Sequence, residues 1–81
     1  MKRTPSVSPR PLLKWVLCRG WELLTCAVER TGDWYTVSAL THGRRHRLYV
    51  KRFDASLAAF QSHAALIADL RRAGWMSVAY R

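Results

Sequence analysis

The 81-residue chain is long enough for one domain and too short for two, and 49% apolar residues with four tryptophans mark a folding sequence rather than a disordered one. Fourteen Lys and Arg against five acids leave a net charge of +9, a density that repels itself and attracts phosphate polymers or acidic surfaces. Apolar runs of only a few residues exclude a membrane-spanning helix.

Met1-Lys2-Arg3 is followed by Pro and Ser, where a secretory signal would carry its apolar segment. A cytoplasmic location is therefore expected, with Cys18 and Cys26 as reduced thiols. Eleven of the fourteen cations are Arg, whose planar fork grips phosphate oxygens in pairs. GC-rich coding would produce the same excess, and the ten alanines fit that reading equally.

Residues 1–11 hold all three prolines and read as a flexible basic arm, followed by a single α+β domain over 12–81. Residues 12–19 are apolar on both faces, so they fit a short helix begun by Pro11 or, slightly better, a strand that bends at Gly20. Residues 21–30 alternate through Leu24, Cys26 and Val28 and predict a strand. Thr31-Gly32-Asp33 makes a turn, with Gly32 free to take positive φ. A second strand over 34–41 points Tyr35, Val37 and Ala39 one way and Trp34, Thr36 and Ser38 the other. After a turn around Gly43, a strand over 46–53 is expected to turn Leu48 and Val50 inward and Arg47, Tyr49 and Lys51 outward.

The period then changes. Asp54 is a good N-cap for an amphipathic helix over 55–73, with Leu57, Phe60, Ala64 and Ile67 on its apolar stripe. Arg71 and Arg72 suit its last turn, and Gly74 suits the residue beyond its end. Residues 75–81 alternate again, as a short edge strand or as a tail whose Trp75 packs under the helix. The sum is an α+β fold: a three- to four-stranded antiparallel meander with one C-terminal helix on one face and the other face open.

That open face is expected to carry Trp34 and Tyr49 among Arg47 and Lys51, a pattern suited to stacking bases and holding a backbone. The turn His42-Gly43-Arg44-Arg45-His46-Arg47 concentrates positive potential at a hairpin tip. Arg52 and the arm residues Lys2, Arg3 and Arg10 extend the cationic surface. Cys18, Cys26, His42 and His46 offer two thiols and a His-x3-His pair, but the gap between the cysteines is too long for a zinc knuckle. The acids Glu22, Glu29, Asp33, Asp54 and Asp69 are scattered, and no pair is spaced for acid–base work on one element. Neither an enzyme nor a cofactor is expected, and His63 reads as a packed histidine.

If residues 12–19 were helical, the element order would resemble the double-stranded-RNA-binding domain. That family's second helix opens on lysines, whereas this one opens Asp54-Ala55-Ser56-Leu57, so no residue role transfers. Two functions remain. One is a nucleic-acid-binding module, DNA or RNA, backbone-driven and weakly sequence-specific, using Arg44, Arg45, Arg47, Lys51, Arg52, Trp34, Tyr49, Lys2, Arg3 and Arg10. The alternative is a protein-interaction module, a homodimer or an inhibitor of an acidic partner, using the open sheet face or an edge strand. No membrane partner is expected.

Overall fold

The computed structural model describes residues 10–43 and 47–80. They form β1 (Arg10–Arg19), β2 (Glu22–Thr31), β3 (Trp34–Thr41), β4 (Arg47–Phe53), α1 (Ser56–Arg72) and β5 (Met76–Tyr80). The strands make one antiparallel sheet in the order β4-β3-β2-β1-β5. The sheet thus has five strands where three to four were expected, because both ambiguous segments are strands. β1 opens at Arg10, so Arg10 and Pro11 belong to the sheet and not to the arm.

Local chemistry explains the path. Gly32, at φ 61°, takes the left-handed conformation in the two-residue connection between β2 and β3, a shape that suits the twist of the flanking strands. α1 runs back across the sheet, and its C-terminus delivers the chain beside the unpaired edge of β1, where β5 adds on. The helix ends in a Schellman motif: the Gly74 amide donates to the Arg71 carbonyl and the Trp75 amide to the Leu70 carbonyl. Gly74 occupies φ 100° there. The motif turns Trp75 under the helix, where it joins Leu17, Leu24 and Ile67 in the core while Leu70 packs at the margin. Arg19 seals this corner. Its guanidinium lies 4.7 Å over the Trp75 ring and donates to the Ala73 carbonyl at 3.4 Å.

The inward rows of β2 and β3 are those the alternation predicts, with Leu24, Cys26, Val28 and Val37 wholly buried. Three other expectations are corrected. On β4, Leu48 and Val50 are 56% and 51% exposed on the open face, whereas Tyr49 and Phe53 pack under the helix. Two aromatic rings bury more apolar area than Leu and Val, and the Tyr49 hydroxyl finds Ser62 Oγ at 3.4 Å.

The helix is also rotated from the expected stripe. Ala59, His63 and Ile67 are buried, and Leu57 is exposed. Small Ala59 lets the helix approach Val28 and Val37 closely, and the stripe continues through Leu66 and Leu70. Nor does Asp54 cap the helix. The N-cap is Ala55, held extended at φ −131°, ψ 135° by the exit from β4, and no side chain caps it.

Candidate nucleic-acid interface

The expected open-face site does not assemble. Trp34 and Arg52 do share the open face, with the Arg52 guanidinium 5.4 Å from the Trp34 ring. Tyr49 lies on the opposite, helix-bearing side, where it packs into the core. Lys51 shares that side, with its Nζ 5.4 Å over the Phe53 ring. Arg47 opens β4 opposite Leu40, at the far end of the strand from Lys51 and Arg52. Lys2, Arg3, Arg44 and Arg45 lie outside the described residues.

What the sheet does bring together is a row at the end where the helix begins. In register, Arg10 faces Arg30, Arg30 faces Tyr35, and Tyr35 faces Phe53. Paired residues point to the same side of a sheet, so the row crosses β1, β2, β3 and β4 on the helix-bearing side. Lys51 stands one pleat further in, over Phe53. The Arg30 guanidinium lies 5.9 Å from the Tyr35 ring, and its Nε donates to the Gly32 carbonyl at 3.0 Å. Those contacts hold the fork in place while leaving its terminal nitrogens to solvent.

The electrostatics of this row are unusual. Like charges directly opposite on neighbouring strands destabilise a sheet, and Arg10 and Arg30 form such a pair. Among the described residues, the ion pairs are Arg19–Glu22 at 3.5 Å and Arg72–Asp69. Arg10, Arg30, Lys51 and Arg52 are in neither. Asp33 and Asp54 lie at the same end of the sheet and are also in neither. The first turn of α1 carries no acid, so its positive N-terminal dipole adds to the potential there.

The sequence alone points to Arg10, Lys51, Arg52 and Trp34, and not to Arg30, Tyr35 or Phe53. Counting back from the two-residue turn of the first hairpin places Arg30 opposite Pro11. A bulge between Pro11 and Leu13 moves it opposite Arg10.

The thiols and imidazoles have structural partners. Cys18 faces the open side, and Cys26 lies beneath the helix, so the two cannot ligate one ion. Burial pushes the Cys26 thiol up to about 11, which keeps it protonated and unreactive. His42 is hydrogen-bonded to Thr25 Oγ1, and His46 lies outside the described residues. His63 Nε2 donates to the Cys26 carbonyl at 3.4 Å and meets Trp15 edge-on. No known protein family, curated protein or solved structure matches the chain.

Proposed function

We propose that the chain is a small nucleic-acid-binding module that grips the phosphate backbone with weak sequence preference. The contact is the Arg10–Arg30–Tyr35–Phe53 row with Lys51 beside it. One observation carries the reading: two arginines face each other across adjacent strands with no described carboxylate between them. A phosphate placed between the forks turns their repulsion into two charge-assisted attractions. The exposed edges of Tyr35 and Phe53, both half-buried, offer apolar contact to a sugar beside the phosphate. Arg52 over Trp34 gives a second cation–aromatic pair at the same end of the sheet.

A titration of labelled single-stranded DNA, duplex DNA and RNA at low salt tests this. The unaltered chain binds at least one of them, and Arg10→Ala with Arg30→Ala weakens binding to every sequence alike. Absence of binding to all of them at low salt removes the proposal. Unchanged affinity in the double variant removes the assigned site.

A further inference from the structure

The sheet face opposite α1 is apolar and uncovered among the described residues. Leu48 and Val50 of β4, Leu23 of β2 and Met76 of β5 are 56%, 51%, 42% and 68% exposed. Val16 and Leu40 lie half-buried between them. In register these side chains form adjoining rows, because Val16 faces Thr25 and Thr25 faces Leu40. The hollow at one end of the face, lined by Trp21, Leu23, His42 and Leu48, continues the same surface. Exposed apolar patches that span a whole sheet mark interaction surfaces.

We infer that this face is the interface of a homodimer, in which two copies stack their open sheet faces against each other. Three features select a second copy over another partner. The face holds little of the chain's +9: it carries Lys14 and Arg52 against Glu29, with Arg47 opposite Leu40 at its end. A surface bearing both signs can pair with itself, because Lys14 or Arg52 of one copy meets Glu29 of the other, while an acidic partner gains little from it. The shape fits as well. Sheets pack face to face about 10 Å apart with their strands within about 30°, and an identical twisted sheet provides the matching surface for a two-fold contact. The size is adequate too. Five strands about 4.8 Å apart and about 23 Å long cover roughly 550 Å² in plan, and side-chain relief brings that towards the roughly 800 Å² per partner of a stable interface. The dimer does not compete with the Arg10–Arg30–Lys51 row, which lies on the other side of the sheet; the Arg52–Trp34 pair alone is common to both surfaces.

Sedimentation velocity on the full chain over a range of concentrations tests the inference. The unaltered chain shows a species with twice the 9.4-kDa mass, and high salt does not dissociate it. Val50→Lys places an unpaired charge in the interface and raises the dissociation constant by about 100-fold or more. Leu48→Glu does the same, and since both positions are exposed in the single chain the variants fold normally by circular dichroism. In the unaltered chain, alkylation of Cys18, which faces the open side, slows as concentration drives dimerisation. Overturning results are a chain that stays monomeric at every concentration, a dimer indifferent to both substitutions, and a dimer broken instead by Leu57→Glu on the exposed helix face.

Discussion

His63 shows how a residue that looks polar in the sequence becomes part of a core. It is 2% exposed, with Nε2 on the Cys26 carbonyl and Trp15 against its ring. Burial lowers its pKa from the usual 6.5, partly offset by that hydrogen bond. The unfolded chain therefore takes up a proton near pH 6.5 that the native state refuses. The stability linked to His63 is complete above that pH and is lost as the pH falls through the interval down to the native pKa. Urea unfolding at about pH 7.5 and about pH 5 is expected to show this loss, and His63→Gln, which keeps a donor but does not titrate there, flattens the dependence. The cysteines divide in the same way. Cys18 is half-buried and reacts with a thiol reagent in the native protein, whereas Cys26 reacts only on unfolding, because burial holds its thiol at about 11.

At the scale of elements, the two ends of α1 are built differently, and each makes a prediction. Its C-terminus is fully specified: Arg71 and Arg72 in the last turn, Gly74 in the left-handed region and Trp75 packed beneath. Gly74→Ala forces a Cβ into φ 100° and is expected to cost about 1–2 kcal/mol in chemical denaturation. The N-terminus has no side-chain cap at Ala55. Ala55→Ser supplies an oxygen for the free amides there and is expected to stabilise the fold by about 0.5–2 kcal/mol.

The same contrast explains which elements were legible. In β2 and β3 the inward rows Leu24-Cys26-Val28 and Tyr35-Val37-Ala39 are uniformly apolar while the outward rows are interrupted by Thr, Glu and Ser, so the buried side can be read from the pattern. Both rows of β4 are apolar or amphipathic, Leu48 and Val50 against Tyr49 and Phe53, so alternation alone could not choose the buried one. α1 is rich in alanine, and the expected Leu57–Phe60–Ala64–Ile67 stripe is the more apolar one; only Ile67 of it is buried, because close packing of small Ala59 against Val28 and Val37 turns the Ala59–His63–Ile67 line inward. The C-terminal strand depends on β1, a partner distant in sequence, which local pattern does not reveal, and residues 12–19 are apolar on both faces, so periodicity could not choose strand over helix. The candidate site was half visible for a related reason. Charge singled out Arg10, Lys51 and Arg52, but the meeting of Arg10 with Arg30 requires the bulge beyond Pro11.

Across the whole molecule, the sheet separates two kinds of surface. One side carries the helix and, at its open end, the arginine row; the other is largely apolar. The row is a liability for folding if it has no ligand. Arg10→Glu is expected to raise stability by about 0.2–1 kcal/mol by pairing with Arg30, while nucleic-acid affinity falls. A thermal melt and a binding titration on that one variant separate a binding role from a structural one, because a structural role would lower both together. The most direct test of the arginine row is the salt dependence of binding. In a plot of log affinity against log salt, the unaltered chain should give a steep negative slope. Arg10→Ala with Arg30→Ala should make it shallower by about 2, one for each phosphate that an arginine no longer neutralises. An identical slope in the two proteins would contradict the account.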